Sequence, residues 1–143
     1  AQTSIPREGL LSALEAVDRR VQRVVVIEDD AGASQLMARI LRAHGVEQIF
    51  EARDGQAGIE MVQATHPDLI VLDLMMPGVD GFQVLDRLKA DALFREVPVV
   101  VVTAKDLTAA ERTRLNGQVD SLLQKGSFID EAMLESLLND KLA

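Results

Sequence analysis

The chain has 143 residues, a formal net charge of −8 at pH 7, 48% hydrophobic residues and no cysteine. That length suits one domain with a sizeable core, and the apolar share excludes a disordered chain. The acidic balance excludes a grip on nucleic acid by charge alone, the lack of cysteine excludes disulfides and thiolate chemistry, and two histidines (His44 and His66) are too few for a His-rich transition-metal site.

In chain order, residues 1–20 form an extension ahead of the domain proper, which is expected over 21–143. Leu10, Leu11, Leu14 and Val17 fall at helical spacing. This N-terminal extension reads as a helix packed on the domain or a remnant without a stable fold. Equally, it reads as a connector from an upstream domain or a dimerising helix. Val24–Ile27 is a short apolar run of the buried-strand kind and leads straight into Glu28, Asp29 and Asp30. Ser34–Ala43 places Leu36, Met37, Ile40 and Leu41 on one helical face, with Gly45 as its stop. Gln48–Ala52 is a weaker strand. Asp54-Gly55 opens a second helix, Gln56–Thr65, which Pro67 closes. Leu69–Leu72 and Val97–Val102 are further strands, separated by a stripe of Phe82, Leu85 and Leu88. Leu107–Leu115 is a fourth helical segment, ended by Asn116-Gly117, and Ser121–Lys125 a fifth strand. Met133, Leu134, Leu137 and Leu138 make a last stripe. Strand and helix alternate five times, which predicts an α/β fold with a parallel sheet covered on both faces.

In such sheets ligands bind beyond the carboxyl ends of the strands, where strand order reverses. With order 2-1-3-4-5, Glu28, Asp29 and Asp30 after the first strand would meet Asp73 at the end of the third. Oxygen ligands of this kind suit a hard divalent cation such as Mg²⁺. The plainer reading is a solvated cluster, and Asp30 is best read as the cap of the helix beginning near Ala31. Asp73 resists it, because an aspartate following Leu69-Ile70-Val71-Leu72 is costly without a partner. Thr103, followed by small Ala104, and Lys125 stand at neighbouring strand ends. There they could hold a phosphoryl group, or be a helix cap and a surface lysine.

These marks together resemble the receiver domain of two-component response regulators over nearly all of residues 21–143. They are Glu28-Asp29, then Asp73-Leu74-Met75-Met76-Pro77-Gly78-Val79-Asp80-Gly81, Thr103-Ala104 and Lys125. The resemblance implies a doubly wound, five-stranded (βα)₅ fold of the flavodoxin-like kind. It implies a Mg²⁺-dependent phosphoacceptor switch that takes its phosphoryl group onto Asp73, with Mn²⁺ as a substitute ion. Asp29, Asp73 and the backbone carbonyl of Met75 would hold the metal, with Glu28 acting directly or through water. Thr103 and Lys125 would hold the phosphoryl oxygens, and Ala104 would leave room. The implied donor is a histidine kinase or a histidine phosphotransfer protein. The implied output surface is the fourth helix, fifth strand and fifth helix, with a homodimer as one arrangement.

Two positions depart from the receiver pattern. Leu122 stands where an aromatic is usual, and Gly126 replaces the proline that usually follows the lysine; without proline a trans Lys125–Gly126 bond is expected. The stretches Leu107–Arg112 and Gln124–Gly126 look like receivers attached to hybrid sensor kinases, so the chain reads as a stand-alone regulator or a receiver module of a longer kinase. It would act as an acceptor that dephosphorylates itself rather than as an enzyme in its own right. The alternatives are an aspartyl-phosphate phosphatase and a degenerate receiver that only binds a partner. Met75, two residues after Asp73, replaces the second acid such phosphatases usually need, and the intact marks oppose degeneracy. No apolar run approaches the roughly 20 residues of a membrane span, and Ala1–Arg7 lacks the apolar core of a signal peptide. A cytoplasmic location is therefore expected, with no direct nucleic-acid or membrane contact, and a first residue other than Met fits a piece of a longer chain.

Overall fold

A computed structural model describes residues 9–10, 21–104 and 106–124. Five strands form one parallel sheet: β1 (Arg23–Ile27), β2 (Gln48–Ala52), β3 (Leu69–Leu72), β4 (Val99–Thr103) and β5 (Ser121–Gln124). Their order is β2-β1-β3-β4-β5, the order expected of the receiver fold. The helices between them are α1 (Ala31–Ala43), α2 (Gly55–Thr65), α3 (Gly81–Ala90) and α4 (Ala109–Leu115). The expected fifth helix around Met133–Leu138 lies outside the described residues.

Successive strand residues point to opposite faces, and the sequence makes both faces apolar. Val24, Val26, Leu69, Val71, Val100 and Val102 pack with Leu36, Met37, Ile40 and Leu41 of α1. Val25, Ile27, Ile70, Leu72, Val99 and Val101 pack on the other face with Ile59 and Val62 of α2, Phe82, Leu85 and Leu88 of α3, and Leu115 of α4. A sheet buried on both faces explains why β1, β3 and β4 read as unbroken apolar runs. Leu10 is fully buried in the α1-side cluster, so the extension contributes to the core at this residue.

Each helix follows a strand directly or after a short loop, and an orphan N–H of its first turn finds a side-chain acceptor. Asp30 accepts from the Ala33 amide and Asp54 from that of Ala57, both at 2.8 Å. Asp80 accepts from Gln83 at 3.0 Å, and Thr108 from Glu111 at 3.1 Å. Gly45 and Gly117, with φ of 99° and 81°, supply the left-handed residues after α1 and α4. After α2 that conformation falls on His66 (φ 49°), immediately before Pro67.

β1 begins one residue earlier than expected, at Arg23, and β4 differs more. β4 starts at Val99 rather than Val97 and runs on to Thr103. Pro98 has no N–H to donate, although its carbonyl accepts from the Ile70 amide at 3.0 Å, while the Val97 amide turns back to the Phe94 carbonyl at 3.1 Å. The strand therefore delivers Thr103 to the sheet edge as an integral residue.

Candidate functional site

The parallel register builds the site. Ile27 of β1 stands level with Leu72 of β3, so the next residues, Glu28 and Asp73, leave the sheet side by side. Both remain tied to it: the Glu28 amide donates to the Ala52 carbonyl at 3.0 Å, and the Asp73 amide to the Ile27 carbonyl at 2.9 Å. Two carboxylate-bearing residues are thus buried at adjacent strand ends, Glu28 at 0% and Asp73 at 3% exposure. Asp29 is exposed, and one oxygen from each of Glu28, Asp29 and Asp73 lies within 4.8 Å of the others.

Backbone amides fix the orientation of this cluster. The Met75 amide donates to Asp73 Oδ1 at 3.1 Å, and the Asp30 amide to Glu28 Oε2 at 3.2 Å. Asp30 itself caps α1, which separates its work from that of its two neighbours. A set of three carboxylates with no nitrogen or sulfur donor is chemically suited to a hard divalent ion of the Mg²⁺ type, and poorly suited to a soft one. The electrostatics agree, because grouping three acids with two of them out of water is unfavourable unless positive charge joins them.

Thr103 ends β4 at 1% exposure. The reading of Thr103 as a helix cap is incorrect, because Thr108 performs that task for the following helix. Val101 of β4 is level with Leu72, so Thr103 stands two residues further along a neighbouring strand than Leu72. Ala104 follows it and is exposed. Met75 lies at the rim with 54% exposure. Lys125 and Gly126 lie outside the described residues, as does the bond between them. Leu122 is half-buried and packs against the cluster that holds Leu115 and Phe82.

Two features behind the site escape a reading of motifs. Gly81 opens α3 against the Asp73 peptide, where an added Cβ would stand 2.5 Å from the Asp73 carbonyl oxygen and from the Leu74 Cα. Its presence in the Asp73–Gly81 stretch was legible, but the close approach that requires it was not. Arg114 of α4 reaches α3: its guanidinium stands 4.6 Å from the centre of the Phe82 ring and bonds Asp86 at 2.6 Å. No sequence signal connects an arginine of one helix to a helix so far back in the chain.

Parallel strands in the order 2-1-3-4-5, with acids gathered where that order reverses, define a doubly wound switch-point site. The response regulator receiver domain matches residues 24–137. The DNA-binding response regulator MtrA of Mycobacterium tuberculosis (strain ATCC 25618 / H37Rv) is 34% identical over 109 residues, 76% of this chain and 46% of MtrA. The phosphate regulon transcriptional regulatory protein PhoB of Escherichia coli (strain K12) is 33% identical over 96 residues, 67% of this chain and 40% of PhoB. The chain therefore spans less than half the length of these curated relatives. Among solved structures, the N-terminal domain of a response regulator receiver protein from Methanoculleus marisnigri JR1 superposes with a TM-score of 0.70 at 28% identity, covering 87% of this chain and 98% of that one. The chain belongs to the response regulator receiver domain family.

Proposed function

We propose that the chain is a phosphoacceptor switch that takes a phosphoryl group from a phosphohistidine onto the Asp73 carboxylate. The observation that carries this reading is the placement of Asp73, almost fully buried, level with Glu28 and within 4.8 Å of Glu28 and Asp29 oxygens. An Asp73 oxygen attacks phosphorus in line, the phosphorus–nitrogen bond breaks, and its electron pair leaves with the imidazole. The product is an acyl phosphate.

The difficulty is charge, since an anionic carboxylate must approach an anionic phosphoryl group. Mg²⁺, or Mn²⁺ in its place, would supply the offsetting charge when held by Asp29, Asp73 and the Met75 carbonyl, with Glu28 bound directly or through water. The Met75 amide fixes one Asp73 oxygen at 3.1 Å, which orients the carboxylate before the donor arrives. Thr103 donates its hydroxyl to a phosphoryl oxygen, Lys125 its ammonium to another, and the small Ala104 leaves space beside them. The donor is a histidine kinase or a histidine phosphotransfer protein, and the setting is the cytoplasm. Among the described residues no helix is long and apolar enough to cross a membrane. The output surface is α4, β5 and the segment after it, used by a protein partner or a second copy.

DNA binding belongs to the name of MtrA, and this chain covers only 46% of that protein. Residues 1–20 are an extension seated on the receiver at Leu10, whether the chain works alone or within a hybrid kinase. The test is intact mass after incubation with acetyl phosphate. One phosphoryl group should add with Mg²⁺ present and none after chelation. Uptake that persists undiminished under chelation would refute the metal-dependent reading.

A further inference from the structure

We propose that Arg114 is a positioning residue that couples the state of Asp73 to α4 through α3, by a route that does not use position 122. This rests on the phosphoacceptor reading above and adds the path by which the site is read. The first link is Gly81, whose amide donates to the Leu74 carbonyl at 3.2 Å and whose missing Cβ lets α3 start directly against the Asp73 peptide. A shift of the Asp73–Leu74 backbone is therefore transmitted to the first turn of α3.

The next residue, Phe82, is buried and carries the second link, because the Arg114 guanidinium stands over its ring at 4.6 Å. The third is Asp86, four residues along and thus on the same side of α3, which receives the Arg114 bond at 2.6 Å. One arginine of α4 thereby grips two successive turns of the helix whose start abuts the phosphoacceptor.

Of the seven residues of α4 only Leu115 is buried. A pocket lies between the loop after β3 and α4, lined by Met75, Met76, Pro77, Phe82, Glu111 and Arg114 among others. Loop and helix thus have room to move against each other. Arg114 and Asp86 are about half exposed, so their bond can be remade at low cost and suits an element with two arrangements. Leu122 packs in the apolar cluster and carries neither an aromatic ring nor a hydroxyl, whereas the α3 route is built from directional contacts.

The test is amide hydrogen exchange over residues 109–115 of the full chain, with and without Mg²⁺ and beryllofluoride as the stand-in for a phosphoryl group. In the unaltered chain the two additions change exchange by about fivefold or more. In Arg114→Met the change falls below about twofold, while phosphoryl uptake from acetyl phosphate still reaches completion by mass. Asp86→Asn, which leaves Arg114 and Leu115 in place, gives a partial loss. The exchanged pair Asp86→Arg with Arg114→Asp regains part of the response, which simple loss of packing would not allow. A full response retained in Arg114→Met, or an unaltered chain that takes up phosphoryl groups with no response in 109–115, overturns the coupling. An unaltered chain that takes up none refutes the phosphoacceptor reading, and the coupling falls with it.

Discussion

Three consecutive acids, Glu28, Asp29 and Asp30, do different work because the backbone presents them differently. Glu28 is still hydrogen-bonded to the sheet and fully buried; Asp29 is exposed with an oxygen near those of Glu28 and Asp73; Asp30 turns its carboxylate to the Ala33 amide at 2.8 Å. Only the first two belong to the carboxylate cluster with Asp73. Asp29→Ala should weaken Mg²⁺ binding by at least about tenfold, since even groups outside the ligand shell commonly cost that much. Asp30→Ala should leave the affinity within about twofold and instead lower folding stability by about 1 kcal/mol through the lost cap. Calorimetric Mg²⁺ titration and urea unfolding separate the two effects. Equal Mg²⁺ affinities in the two variants would remove the distinction. Asp73 was legible because an aspartate after Leu69-Ile70-Val71-Leu72 breaks an apolar frame, whereas Arg114 was not, because its partners are set by tertiary packing.

Elements differ sharply in how firmly they are held. α1 has 13 residues and buries Leu36, Met37, Ile40 and Leu41 among others, which is ample to fix it by packing. α4 has seven residues, well short of the roughly 12–15 at which an isolated helix becomes even marginal in water. Its ends must compensate. Thr108 and Glu111 form a reciprocal capping box, with the Thr108 amide donating to Glu111 Oε1 at 2.9 Å and the Glu111 amide to Thr108 Oγ1 at 3.1 Å. Thr108→Ala should therefore destabilise α4 by about 1 kcal/mol. Hydrogen exchange should accelerate across 109–115 while the strands stay protected, because short exposed helices open locally. Exchange at the unaltered rate would show that the helix is held by something other than its cap. Element bounds follow the same physics. The sequence suggests a strand from Val97, but Pro98 and the turn at Phe94 delay it to Val99; Pro67 signals the end of α2, but the left-handed residue is His66. Apolar periodicity shows that an element exists, and local hydrogen-bonding chemistry decides where it stops.

For the whole molecule, the alternation of strand and helix favours a parallel sheet covered on both faces, because parallel neighbours need crossovers and both faces need cover, and the receiver resemblance adds its strand order. The order β2-β1-β3-β4-β5 then brings Glu28 and Asp73 together although they are distant in the chain. The seating of Leu10 in the α1-side core was only one of several readings of the extension, since an amphipathic stripe does not name the surface it meets. The position of Lys125 lies outside the described residues, so its role rests on the family resemblance and on the phosphoryl chemistry. In the proposed switch one particular carboxylate of the cluster, that of Asp73, becomes the acyl phosphate. The most direct measurement is borohydride trapping of the chain after acetyl phosphate and Mg²⁺ treatment, followed by fragment-ion mapping of the reduced residue. Reduction at Asp73 alone, lost in Asp73→Asn, is the predicted result. Reduction at Glu28 or Asp29, or phosphoryl uptake undiminished in Asp73→Asn, would contradict it.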